Sequence, residues 1–337
     1  MVQWRPSDLM AFISRALLGL IALTLGVFGP YNAVGGNTNL IVIGGGIPFG
    51  YYFGLAGALC KVINEQVVNE KVPRGIHCLN LAAGSSARNL LNIDEEMIDF
   101  AVVQSDWLRH AVEGTSRYRG VGPNEAYRSI FSVPAESLTI LSRGDVRTKV
   151  LGQLADRRVG YDTSNPYAYL LMQNAIEAAR INLVSATLDA KVGSAADHVC
   201  AGKIDAYVTM TRHPDGHAVE MLSNCELKYV TLNNSIVEAV VEKHSELIVQ
   251  RIKHLGAGGK QQVFSTFGLT AVLVTSRDTT DAVVDQLLEA TFGKLGKPET
   301  GKPPFSKITK KVLMAAARIA PMHERAEAYF KARGWLD

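Results

Sequence analysis

Ile41-Val42-Ile43-Gly44-Gly45-Gly46 runs into Gly50-Tyr51-Tyr52, Ala83-Gly84-Ser85-Ser86 leads to Asn89, and Phe100-Ala101-Val102-Val103-Gln104 passes into Ser105-Asp106-Trp107. Each passage is an apolar strand, a turn of small or hydroxyl residues, and the start of a helix. Three such units in succession predict βαβ packing and a mainly parallel sheet. Turns at the carboxyl ends of parallel strands meet in one crevice, the usual ligand site of open α/β sheets. The turns carry hydroxyls and amides rather than nucleophiles or metal ligands, which points to holding a ligand rather than transforming it.

Outward from this stretch the alternation continues. Strand Ile76 to Leu81 lies between helices near Tyr52–Val67 and Ser86–Leu91. Ser105 is expected to cap the following helix, and Gly114 to end it. A second set follows strand Ser137–Ser142: strand Leu154–Tyr161, a helix opened by Asn165-Pro166, a strand near Leu183–Leu188, helix Ser194–Ala201 closed by Gly202, and strand Ile204–Thr209. Strand Lys228–Leu232 returns the chain, and helix Ser235–His254, strand Gly268–Thr275, helix Asp281–Phe292 and helices reaching Trp335 complete it. The fold class is α/β, with two lobes expected from a length of 337 residues.

Composition narrows the function. A net charge of +3 without a basic stripe, and aromatic residues at 7%, argue against nucleic acid as a partner. Ala16 to Phe28 is an uncharged apolar run of 13 residues behind Arg5 and Arg15. It is shorter than the roughly 20 residues of a spanning helix and suits a secretory signal. Residues 1–36 therefore read as a signal peptide, or as an amino-terminal anchor if they are not cleaved, and the protein as exported.

Export places Cys60, Cys78, Cys200 and Cys225 in an oxidising compartment, where pairing is favoured. Neighbouring cysteines lie on a helix and an adjacent strand, yet three connectivities are open. Zinc fits poorly, because no CxxC or Cys-His spacing occurs. His213 and His217 bracket Pro214-Asp215-Gly216 without a carboxylate at helical spacing, so no metal is expected there. The glycine run from Gly44 to Gly50 has Phe49 where a dinucleotide fingerprint needs glycine. No GxSxG elbow is present, and no cofactor is expected.

The segments Gly50-Tyr51-Tyr52, Gly84-Ser85-Ser86-Ala87-Arg88-Asn89, Asp99 to Asp106, Gly202-Lys203-Ile204-Asp205-Ala206 and Thr266-Phe267-Gly268-Leu269 occur in this order. Ala320-Pro321-Met322-His323 and Gly334-Trp335 close the chain. Together they resemble the TAXI family, the extracytoplasmic solute receptors of tripartite ATP-independent periplasmic (TRAP) transporters. The resemblance implies a bilobed, periplasmic-binding-protein-like clamshell of two α/β lobes joined by two extended hinge crossings. Residues 37–138 and 232–337 would form lobe 1, and 139–231 lobe 2. It implies a monomeric, non-enzymatic periplasmic receptor for a small anionic solute, such as glutamate, a dicarboxylate or an oxo acid, delivered to TRAP membrane subunits. Tyr51, Tyr52, Ser86, Asn89, Gln104 and Ser105 are the implied ligand contacts, and Cys60–Cys78 and Cys200–Cys225 the implied disulfides.

Two stretches depart from the family. Asp162-Thr163-Ser164-Asn165-Pro166-Tyr167 replaces a Gly-Ser-Gly turn, which adds Thr163, Ser164 and Asn165 as candidate contacts and narrows the wall with a tyrosine. Arg212 precedes His213-Pro214 where glycine is usual, and its guanidinium suits a carboxylate bidentately. The alternatives are a sensing domain for a signalling partner and an enzyme on the same scaffold.

Overall fold

Strand β1 (Leu40–Gly45) pairs in parallel with β2 (His77–Ala82) and β3 (Phe100–Gln104), so the three glycine and hydroxyl turns emerge side by side. The computed structural model describes residues 40–70, 76–162, 166–185, 194–255, 260–294, 305 and 308–336. The expected signal segment, and Thr163, Ser164 and Asn165, lie outside the described residues. Helices α1 (Tyr51–Glu70), α2 (Ser86–Asp94) and α3 (Ser105–Glu113) follow the three strands. Ser85 caps α2 by accepting from the Arg88 amide at 3.2 Å, and Gly114 ends α3 with φ 65°.

The cap expected from Ser105 is not there. Gln104 is the N-cap residue, and it makes no side-chain bond to the helix. Ser105 is the first helical residue, and its hydroxyl is drawn into the interior instead.

Strand β4 (Tyr127–Arg143) is 17 residues long and runs through both halves of the sheet. Beyond it lie β5 (Arg158–Tyr161), α4 (Pro166–Ala179), β6 (Val184–Ser185), α5 (Ala195–Cys200), β7 (Ala206–Thr211), α6 (Gly216–Asn224) and β8 (Leu227–Tyr229). The chain continues through α7 (Asn234–Lys243), β9 (Leu247–Leu255), β10 (Gln261–Ser276), α8 (Asp281–Phe292), α9 (Lys310–Ala317) and α10 (Glu324–Ala332). Among the described residues the strands form one sheet in the order β2-β1-β3-β10-β4-β7-β5-β6, with β8 on β4 and β9 on β10.

The two ends of this sheet are parallel, β1 with β2 and β3, and β5 with β6 and β7. Its middle is antiparallel, because β10 pairs antiparallel with β3, β4 and β9, and β4 with β7 and β8. The expected mainly parallel sheet is thus a mixed one. The two α/β lobes and two extended crossings are present: β4 passes from pairing β10 to pairing β7 at Ser137, and β10 passes back beside it.

Each lobe has its own core. Ile43, Leu59, Phe100, Phe131 and Phe292 anchor the first, and Leu138, Val159, Leu171 and Val208 the second. Ile236, Val237, Val240 and Val241 of α7, with Leu247, pack in the second of these. The expected helix Ser235–His254 stops at Lys243. From Leu247 onward burial alternates, with Gln250 and Ile252 inside and Arg251 and Lys253 outside, and that period of two belongs to a strand. Helix α6 was not anticipated, since Pro214-Asp215-Gly216 read as a plain turn; Asp215 in fact caps it, accepting from the His217 amide at 2.9 Å.

Both disulfides implied by the family resemblance are formed, Cys60–Cys78 tying α1 to β2 and Cys200–Cys225 tying α5 to the end of α6. In a chain-entropy account, loops of these lengths add about 3 kcal/mol each.

Candidate functional site between the lobes

The carboxyl ends of β1 and β3 from one lobe and of β5 and β7 from the other converge on the two crossings. The register fixes this: Gln104 lies opposite Ala271, Ala271 opposite Val133, and Ser137 opposite Thr211. Turns from both lobes therefore border the segment Pro134-Ala135-Glu136-Ser137.

Tyr51 and Tyr52, at the start of α1, reach that segment. The Tyr51 hydroxyl donates to the Pro134 carbonyl at 3.1 Å, and the Tyr52 hydroxyl to Glu136 Oε2 at 3.0 Å. The rings meet edge to face, their centroids 5.7 Å apart. From the other lobe Arg212 lies over the Tyr51 ring, with Cζ 4.3 Å from its centroid, so a cation–π contact spans the two lobes. The guanidinium is exposed, and its N–H edge makes no hydrogen bond among the described residues. Burial raises the Tyr51 phenol to about 12, against the lowering pull of Arg212. Burial also raises the Glu136 carboxyl, while the Tyr52 hydroxyl and Arg212 act to lower it.

Other expected contacts have structural employment. Asn89 is fully buried, and its Nδ2 donates to the Gly45 carbonyl at 2.9 Å and the Val102 carbonyl at 3.1 Å, clipping β1 to β3. A Cβ on Gly44 would come within 2.3 Å of Asn89 Oδ1, so that glycine answers a packing need. Ser105 is also fully buried; it donates to the Glu246 carbonyl at 2.8 Å and accepts from the Thr270 amide at 3.1 Å. Buried in this way, these two side chains hold the cleft's frame, and Asn89 Oδ1 is left without a hydrogen-bond partner among the described residues. Ser86 accepts from the Gln104 amide at 3.0 Å and remains half-buried, as does Gln104.

The floor of the cleft holds charged groups that sequence reading passed over. Glu246, 3% exposed, lies between α7 and β9 and forms an ion pair with Arg109 of α3, 3.0 Å from Nε to Oε2. Tyr167 of α4 donates to Glu246 Oε1 at 3.4 Å. Asp106, 8% exposed, has one carboxylate oxygen, Oδ1, without a hydrogen-bond partner. Burial lifts its carboxyl to about 6; the Trp107 amide opposes this, and Glu246 and Glu136 add to it. A carboxylate directly after a strand, in the first turn of a helix, was the available signal, but it reads equally as an ordinary helix-dipole acid. Glu136 was detectable as the one charge within Val133-Pro134-Ala135-Glu136-Ser137.

On the second lobe, Asp162 at the end of β5 accepts from Thr209 Oγ1 at 3.0 Å and the Tyr207 hydroxyl at 3.4 Å. It borders a cavity of about 220 Å³ also lined by Thr211, Asp215, His217 and Met221. His213 is not a ligand in waiting: it is buried, 2.8 Å from the Thr139 hydroxyl and packed edge-on against Phe264. Among the described residues, no group of three or more His, Cys, Asp or Glu is placed to hold a metal ion.

Several solved structures are similar to this chain. A TctC solute-binding protein from Polaromonas is 14% identical over 88% of this chain and 94% of its own, with a TM-score of 0.46. A putative periplasmic sulfonate-binding protein, SsuA, from Methylobacillus flagellatus is 12% identical over 88% of each chain, with a TM-score of 0.45. The second substrate-binding domain of a putative amino acid ABC transporter from Streptococcus pneumoniae is 10% identical over 74% of this chain and 91% of its own, with a TM-score of 0.41. Likenesses this distant say nothing of a ligand. The sequence model of the NMT1-like family matches residues 43–334, nearly the whole described chain, and the protein belongs to that family.

Proposed function

We propose that this protein is an extracytoplasmic receptor that binds a small organic acid between its lobes and delivers it to the membrane subunits of a TRAP transporter. The observation that carries the reading is Arg212: a guanidinium from one lobe, stacked on Tyr51 of the other, with no hydrogen bond to its N–H edge among the described residues. Such a fork matches a carboxylate in two parallel hydrogen bonds. Its place across the lobes gives a bound acid the means to favour closure. Tyr51, Tyr52, Ser86, Gln104 and Arg212 are the proposed contacts, with Thr163, Ser164 and Asn165 on the facing turn. Two disulfides support an oxidising, periplasmic setting.

We place the return to the first lobe inside β10 rather than near residue 232. Helix α7 and Leu247 share the core of the second lobe, and Ala271 and Leu273 share that of the first.

Titration calorimetry and thermal-shift measurements with amino acids, dicarboxylates and oxo acids test the function. Saturable binding by at least one class is expected. A cooperatively folded protein that binds none of them sinks the proposal.

A further inference from the structure

The chain from Leu247 to Ser276, which spans β9 and β10, contains no Asp or Glu, yet it carries Arg251, Lys253 and Lys260. Strand alternation puts Arg251, Lys253 and Leu255 on one face of β9, and antiparallel pairing sets Lys253 opposite Val263. All of these side chains are exposed, Leu255 at 70% and Val263 at 53%. Arg251, Lys253 and Lys260 have no acidic partner among the described residues. A second segment adds cations beside them. Thr231 joins the two: its hydroxyl accepts from the Ser265 amide of β10 at 2.8 Å, and its amide donates to the Lys149 carbonyl at 3.0 Å. Arg147 and Lys149 are exposed, and the one acid between Arg143 and Lys149, Asp145, is paired with Arg143. Lys228 donates to the Gly144 carbonyl at 3.2 Å; burial, and then the charge of Lys149, hold its ammonium below the usual lysine value against the pull of Asp145.

Strand β4 runs between two unlike ends of the molecule. It starts at Tyr127, opposite Ser276, and finishes at Arg143, opposite Leu227, roughly 50 Å apart for 17 extended residues. From Gly268, opposite Ser137, β10 leads back to Gln261 alongside the closing half of β4, so the cationic face of β9 and β10 shares the Arg143 end. At the Tyr127 end acids predominate, despite Arg128 and Arg277. Asp94, which accepts from the Tyr127 hydroxyl at 2.7 Å, is followed by the exposed Glu95 and Glu96, and the exposed Asp99 and Asp278 flank β3 and β10.

We propose that the outer face of β9 and β10, with the adjoining Arg147 and Lys149, is a docking surface for an anionic phospholipid membrane and holds the protein to the bilayer by its second lobe. The cations attract headgroup phosphates, and Leu255 and Val263 are placed to enter the boundary between headgroups and chains. The same surface repels the acidic end, so the field orients the molecule as well as drawing it in. Cations on an edge strand also discourage strand addition, but that role requires neither exposed aliphatic side chains among them nor the cations of a second segment. A protein partner requires an apolar, desolvated centre, whereas here aliphatic and cationic side chains are interspersed.

The test is flotation of the purified protein with vesicles of phosphatidylcholine alone and of phosphatidylcholine mixed with phosphatidylglycerol. Binding to the mixed vesicles in clear excess over the neutral ones, weakening as salt is raised, is expected. Arg251→Glu, Lys253→Glu and Lys260→Glu together are expected to lower it by roughly a hundredfold, about fivefold for each cation removed. Should that variant not melt cooperatively, Arg251→Gln with Lys253→Gln replaces it, with an expected loss of roughly twentyfold. Leu255→Ser with Val263→Ser is expected to lower vesicle binding by roughly tenfold while leaving retention on heparin, a soluble polyanion, as it was. If the aliphatic pair changes neither, the surface meets anions in general and the lipid assignment falls. No excess on anionic vesicles, or an equal excess for parent and charge variants, overturns the inference. So does sedimentation in which the parent self-associates and the same substitutions disperse it, because the acidic end of a second copy is then the occupant. No solute enters these measurements, so the receptor reading stands or falls apart from them.

Discussion

The wall built by the first lobe and the floor beneath it use polar residues in opposite ways. Along the wall, Ser85, Ser86, Ser105 and the Nδ2 of Asn89 bond backbone groups, fastening β1, β3 and the helix starts to one another. On the floor and the opposite jaw, Asp106 Oδ1 and the Arg212 guanidinium make no hydrogen bond among the described residues. The polar residues that crowd turns in a sequence serve the frame first, and the proposed function leaves the charges where the two lobes meet to bind the solute.

The sharpest way to break that division is Asn89→Ala. It leaves two buried carbonyls unpaired, and it is expected to lower stability by about 3 kcal/mol. Urea denaturation measures the loss; full stability together with lost binding would return Asn89 to the ligand set.

A pH series separates floor from wall next. The Asp106 carboxyl sits near 6 in the folded protein and near 4 when unfolded, so its contribution to stability is complete below pH 4 and fades as pH rises through 6. Asp106→Asn is therefore expected to make the solute-free protein more stable at pH 7 by about 2 kcal/mol, with little change at pH 4. Melting temperatures that shift equally at both pH values would place the acid among ordinary structural groups.

Arg212→Ala is the mildest perturbation of the fold, about 1 kcal/mol for the lost contact with Tyr51. Its effect on acid binding is expected to be much larger, and calorimetry that finds unchanged affinity assigns Arg212 to the solvent-facing surface.

Much of the frame was readable because local chemistry and tertiary role coincide. Apolar β-branched runs became β1 and β3, Gly114 ended α3 in the left-handed region, and Ser194 capped α5. The failures fall where they diverge. Leu247 to Leu255 carries enough apolar residues to extend a helix, and only alternation against β10 makes it a strand. Antiparallel pairing in mid-sheet comes from residues far apart in the chain, so no window of sequence contains it. The site follows the same rule. Tyr51 and Arg212 were visible as residue types, but their contact, and the company Asp106 keeps with Glu136 and Glu246, exists only once five separate segments are brought together.

The position of β10 has a consequence for how the molecule is made. It lies between β3 and β4, with Ala271 bonded to strands ending at Gln104 and passing through Val133. A chain emerging from its amino terminus therefore completes β5 to β8 while β3 still presents an unpaired edge. Such an edge is a template for aggregation until it is covered. The first lobe begins earliest and is sealed last, and the strand that seals it is one of the two that cross between the lobes.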